Sequence, residues 1–269
     1  MPRFDANLSM LFTEVPFLDR FAAAAAAGFG GVELLFPYAC EKDRLRDVAG
    51  ASGVEVVMFN MPPGDWEAGD RGLACDPRRR AEFQDGVGKA LDYAQALSCR
   101  RVHGMAGLRR RDLDDETARA TYLSNMAFAA RALDRHGITL LIEAINPRDM
   151  PGYYLTSSRQ ALALMDELAA PNVRFQADLY HLQIVEGDLA PTLQAQRDRI
   201  GHVQIADTPG RHEPGTGEIN YPFLFRHLDR IGYQGWIGCE YRPLTSTHAG
   251  LGWLAPYLER QGAPGSPRA

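Results

Sequence analysis

A chain of 269 residues, 45% apolar and 23% charged, has the make-up of an ordinary globular protein, with room for two small domains or one larger α/β barrel. Its formal net charge of −5 leaves no basic excess to neutralise phosphates, which counts against a nucleic-acid partner. The arginine runs Arg78–Arg80 and Arg109–Arg111 are flanked by acidic residues and read as solvated faces.

Short apolar runs alternate with longer helical patterns, and no linker divides them. Strands are expected to end near Asn7, Leu35, Phe59, His103, Glu143, Asp178, Gln204 and Glu240. Helices are expected over 16–27, 41–51, 79–97, 114–135, 157–169, 188–198, 221–231 and 247–259. The run Ala22–Ala27 belongs to the first helix and is far shorter than the ~20 residues that span a bilayer, so no membrane partner is expected. Gly28, Gly53, Gly137 and Gly232 follow helices at plausible left-handed stops, and Thr156-Ser157-Ser158 offers an N-cap for the fifth helix. Eight strand–helix units at this length predict an α/β fold, a (β/α)₈ TIM barrel in one domain over 1–260, with a flexible tail over 261–269. No glycine-rich nucleotide fingerprint follows the first strand, so an open nucleotide-binding sheet has no positive support. The loop Asn60–Ala74, stiffened by Pro62-Pro63 and carrying Trp66, reads as a lid or binding loop over the barrel mouth. Cys40, Cys75, Cys99 and Cys239 lack zinc spacing, and without a secretory signal they are expected as reduced cytoplasmic thiols.

Glu143, Asp178, Gln204 and Glu240 each close an apolar run, and in a parallel barrel such positions converge on one mouth. Three carboxylates and an amide brought together there form an oxygen-rich site for a hard cation. Strand parity puts Arg174, Gln176 and Asp178 on one inward face, and His202 with Gln204 on the next. A single terminal carboxylate is as well explained as a helix N-terminal charge or an arginine partner. Four together favour the cation. His181, three residues beyond Asp178, suits a substrate hydrogen bond; His202 reads as a buried barrel-interior group. His103, His136, His227 and His248 read as structural. Gly215-Thr216-Gly217-Glu218 lacks the lysine of a phosphate loop, so the modest expectation is a tight turn presenting Arg211 and Glu218 to the mouth.

The segments Phe4–Phe12, Asn60–Ala74, Leu141–Asn146, Gly201–Asp207, Glu213–Tyr221 and Gly238–Tyr241 closely resemble the hydroxypyruvate isomerase family, within the wider xylose-isomerase-like barrels. The likeness runs to about Leu258. It implies a divalent metal, Mg²⁺ or Mn²⁺, held by Glu143, Asp178, Gln204 and Glu240, with Glu143 and Glu240 as the proton-transfer pair. Ketose 3-epimerases, from the same wider group, carry histidine where this chain has Gln204; the amide keeps an oxygen donor and argues against a softer, zinc-type site. Endonuclease IV, another relative, would need more histidine ligands and a DNA-binding face. The implied reaction interconverts hydroxypyruvate and tartronate semialdehyde through an enediolate. Arg71, His181 and Arg211 are the candidates to hold the carboxylate of this small hydroxy-keto acid substrate, and Trp66 to shield it. Alternatives are a 2-oxo-tetronate isomerase, a ketose 3-epimerase and, from another class, a non-catalytic sugar-acid or metal-binding barrel. Such barrels often associate as homo-oligomers, but no surface stripe in the sequence marks an interface.

Overall fold

The apolar runs become eight strands: β1 (Arg3–Asn7), β2 (Gly31–Leu34), β3 (Glu55–Asn60), β4 (Arg101–His103), β5 (Thr139–Glu143), β6 (Val173–Asp178), β7 (Ile200–Ile205) and β8 (Trp236–Cys239). Each pairs in parallel with the next, and β8 returns to β1, so the sheet is a closed barrel without edges. The structure, a computed structural model, describes residues 2–261. Of the expected tail, all but Gln261 lies outside the described residues.

The helices follow the expected order: α1 (Arg20–Ala26), α2 (Lys42–Ser52), α3 (Arg80–Ala96), α4 (Asp115–Asp134), α5 (Ser158–Leu168), α6 (Leu179–Val185), α7 (Leu189–Gln196), α8 (Tyr221–Arg230), α9 (Thr247–Gly250) and α10 (Ala255–Gln261). Local chemistry sets their ends. Ser157 caps α5 by accepting from the Gln160 amide, and Gly53 stops α2 in the left-handed conformation at φ 70°. Two details depart from expectation. α6 is an additional short helix, started by the Asp178 side chain directly after β6. The pattern over 247–259 splits into α9, a 3₁₀ turn and α10, with Pro256 tolerated in the first turn of α10.

Alternation along the strands divides apolar from polar. Val203 and Ile205 join the core between barrel and helices, where burying one such side chain stabilises by about 1.5–3 kcal/mol. Leu141, two residues before Glu143, packs with Val57, Met58 and Trp236 in a separate buried cluster. Above that cluster, towards the C-terminal ends of the strands, the interior turns polar. All four cysteines are free thiols, and no helix among the described residues is long and apolar enough to cross a membrane.

Candidate active site

The four expected ligands occupy the C-terminal rim. Glu143 ends β5, Asp178 ends β6, Gln204 is the penultimate residue of β7, and Glu240 follows β8. Asp178 and Gln204 are register partners on adjacent strands, and all four side chains are buried. Asp178 serves as the helix N-terminal charge that a terminal carboxylate can supply. Its Oδ1 caps α6 by accepting from the Tyr180 and His181 amides at 2.8 and 3.3 Å, while Oδ2 faces the imidazole of His181 at 3.5 Å.

Arg211 enters this cluster from the β7–α8 loop. Its Nη2 donates to Glu240 Oε1 at 3.1 Å and stands 3.8 Å from Asp178 Oδ2, and its Nη1 is 3.7 Å from Asp149. The loop that carries it is organised by Asp207, whose carboxylate accepts from the amides of Thr208, Gly215 and Ile219. Those contacts use the Gly215 amide that a phosphate cradle would need. Glu218, expected at the mouth, instead lies exposed and accepts from Gln183. The Thr208–Pro209 bond is cis, and Arg211 adopts a left-handed φ of 55°.

Three buried carboxylates against one guanidinium leave a formal excess of two negative charges. Each carboxyl is accordingly pushed above its ordinary range. Burial pushes Glu240 up to about 8 even though Arg211 pulls it down. Burial, then repulsion from Asp178 and Glu240, holds Glu143 well above the usual carboxylate range. Asp178 is raised by burial, with Arg211 and the two capping amides opposing. A divalent cation carries the charge this site lacks, and carboxylate oxygens of Glu143 and Asp178 lie within 4.8 Å of each other. The donor set therefore fits a hard cation.

His181 presents a donor rather than a ligand lone pair. Asn146 Oδ1 accepts from the Asp149 amide, so its Nδ2 is the atom 2.6 Å from His181 Nδ1. That bond places the imidazole proton on Nε2, which faces Asp178. Burial, then Arg211, keeps the ring neutral, with its pKa well below the ordinary histidine value.

The mouth above is a cavity of about 960 Å³ lined in part by Trp66, Arg71, Asp149, Tyr180, Arg211 and Arg242. Trp66 packs on Phe36 with ring centroids 5.1 Å apart, and the Arg71 guanidinium lies 4.0 Å over the Trp66 ring. Among the described residues Arg71 makes no ion pair; its Nη1 donates to the carbonyls of Trp66 and Asp70. Asp70 binds Arg79 and the Asp65 amide, which pins the lid to the start of α3. Gly72 lets the lid close onto the β4–α4 loop, since a Cβ there would come within 2.5 Å of the Met105 carbonyl.

Below the rim lies a polar floor that sequence reading mostly missed. Fully buried Glu33 accepts from Asn7 Nδ2 at 2.9 Å, Gln204 Nε2 at 2.8 Å and His202 Nε2 at 2.8 Å. Gln204 Oε1 in turn accepts from Gln176 Nε2 at 2.6 Å. His202 is interior, as parity predicted. Asp5, Glu33 and His202 also lie close enough to suggest a second cation site. The hydrogen bonds already on Glu33 argue against that, because donors occupy the lone pairs a cation would use. His103, read as structural, accompanies Asn60 at 3.1 Å and stands 3.7 Å from Glu143; burial lowers its pKa to about 3. Asn7, Asn60 and His103 all end strands, the same signal that singled out the rim quartet.

Comparison with known proteins agrees with this architecture. Residues 21–257 match the family described as xylose isomerase-like TIM barrel. The 2-oxo-tetronate isomerase of Cupriavidus necator is 55% identical over 97% of this chain and 100% of its own length. The hydroxypyruvate isomerase of Escherichia coli is 48% identical over 96% of this chain and 100% of its own. A crystal structure described as an AP endonuclease, family 2, from Brucella melitensis superposes with a TM-score of 0.94 at 50% identity, covering 96% of this chain and 99% of that one.

Proposed function

The chain belongs to the xylose isomerase-like TIM barrel family, and on that premise we propose that it exchanges carbonyl and hydroxyl between C2 and C3 of small 2-oxo acids. Hydroxypyruvate and tartronate semialdehyde are the three-carbon pair. The isomerase class follows from the near full-length relatives. The observation that carries the reaction is the pair of buried carboxyls, Glu143 and Glu240, held above their ordinary range in a site with excess negative charge.

The barrier to such an exchange is removal of a C–H proton beside a carbonyl. An ionised Glu143 or Glu240 takes the proton from C3, the electron pair moves into an enediolate, and the pair of carboxylates returns a proton to C2. The hydroxyl hydrogen passes from O3 to O2, so the product is an isomer with no net loss of atoms. His181 Nε2–H donates to an oxygen that gains charge in this step. Arg211 and Arg71 hold the substrate carboxylate, and Trp66 with its lid excludes water from the enediolate. A divalent cation, Mg²⁺ or Mn²⁺, held by Glu143, Asp178, Gln204 and Glu240, would supply Lewis-acid polarisation of the carbonyl. A small-molecule substrate, rather than nucleic acid, suits a recessed mouth in a chain of net charge −5.

A second reading is the four-carbon substrate 2-oxo-tetronate, favoured by the 55% identical relative and by a mouth of about 960 Å³. Incubating the purified protein plus Mg²⁺ or Mn²⁺ with hydroxypyruvate, 2-oxo-tetronate and simple ketoses in D₂O tests both. Conversion of either acid, with deuterium entering at carbon, is expected. Turnover of ketoses alone would overturn the proposal.

A further inference from the structure

An amide is nearly symmetric in shape, so the partner of one end decides which atom the other end presents. Gln204 sits beside Asp178 in register, 1% exposed, with no solvent to settle its orientation. Its Nε2 meets Glu33 Oε1 at 2.8 Å. Glu33 already accepts from Asn7 on that oxygen and from His202 on the other, so it offers acceptors and no donor to Gln204. Nitrogen must face Glu33, and Oε1 must turn away from it. Gln176 takes one lone pair of Oε1 and leaves the second.

We propose that Glu33 is a positioning residue of the cation site: from the barrel floor it locks Gln204 with oxygen, never nitrogen, presented as the ligand. The inference rests on the cation reading above. Gly238 is part of the device, because a Cβ there would come within 2.3 Å of Glu33 Oε2 and displace the carboxylate.

The test is Mn²⁺ affinity, measured by the paramagnetic signal of free Mn²⁺ without substrate. Glu33→Gln can offer Gln204 either a donor or an acceptor, and it is expected to weaken Mn²⁺ binding by roughly 10–100-fold. The double variant Glu33→Gln, Gln204→Glu exchanges the two groups and makes position 204 an oxygen ligand in either orientation. It is expected to bind Mn²⁺ at least as tightly as the wild type. A merely structural Glu33 would not be rescued this way. Wild-type affinity in Glu33→Gln, or a double variant as weak as the single, overturns the proposal while leaving the cation reading intact. A wild-type protein that binds no Mn²⁺ overturns both. Should Glu33→Gln fail to fold, Gly238→Ala moves the same carboxylate with every polar group retained; a loss of Mn²⁺ affinity supports the inference and an unchanged affinity sinks it.

Discussion

Arg211 Nη2 donates to Glu240 Oε1 at 3.1 Å, which sets a cation of the protein's own inside the carboxylate cluster rather than on its edge. Its Nε is buried without a hydrogen-bond partner among the described residues. Two opposing effects follow from removing the guanidinium. Arg211→Met leaves the cluster more negative, so Mn²⁺ should bind more tightly. A substrate carboxylate loses its charged partner, and losses of this kind cost roughly 2–5 kcal/mol, enough to raise KM well over tenfold. Calorimetry for Mn²⁺ and steady-state kinetics separate the two. An unchanged KM with weaker Mn²⁺ binding would make Arg211 an organiser of the site and not a substrate group.

Glu143→Gln and Glu240→Gln test proton transfer directly. Each swap keeps size and removes the base, and a positioned general base contributes about 10²–10⁴-fold to rate. Both variants should lose at least that factor in kcat while their circular dichroism matches the wild type. Because the Glu143 carboxyl makes no hydrogen bond among the described residues, with His103 beyond hydrogen-bond length at 3.7 Å, its replacement should disturb the fold little. Near-normal turnover in either variant removes that residue from the mechanism.

The rim was legible in the sequence because barrel geometry converts a one-dimensional rule, a polar residue ending an apolar run, into a three-dimensional cluster. The floor was not. Glu33 interrupts the run Gly31–Phe36 near its middle, and its partners Asn7, His202 and Gln204 lie on other strands, 26, 169 and 171 residues away. No local pattern announces such a contact. Arg211 was placed correctly near the mouth, but its depth follows from a left-handed backbone and a loop wound around Asp207, neither of which composition encodes. Glu218, on the same loop, faces outward for the same reason.

Glu240 gives a pH signature to the cation-free protein. Its carboxyl is raised from 4.5 to about 8, so the folded state favours the protonated form. Its stabilising contribution is then complete below the unfolded value and is lost as pH rises towards 8. Glu240→Gln, which stays neutral, should therefore gain stability relative to the wild type as pH rises from 5 to 8 in chelator, read as a widening difference in Tm. Saturating Mn²⁺ favours the ionised carboxylate and should stabilise the wild type more than the variant. A Tm difference that is flat with pH in chelator would show that Glu240 is ionised in the folded, cation-free state.

Trp66 packs against Phe36 and carries the Arg71 guanidinium over its ring, and Trp66 and Arg71 are the lid residues that line the mouth. The lid's anchor is elsewhere, in the Asp70–Arg79 pair and the close approach of Gly72 to Met105. Trp66→Ala should consequently open the mouth without unfolding the loop. Water then reaches the enediolate, and the proton removed from carbon exchanges with solvent before it returns. The expected result is a lower kcat/KM together with more deuterium incorporated per turnover in D₂O, measured by NMR of the product. Arg71→Lys keeps the charge but loses the flat contact with the indole, so it should move both quantities in the same direction and by less. If Trp66→Ala lowers the rate but leaves deuterium incorporation at the wild-type level, the indole positions substrate and the exclusion of water belongs to another part of the mouth.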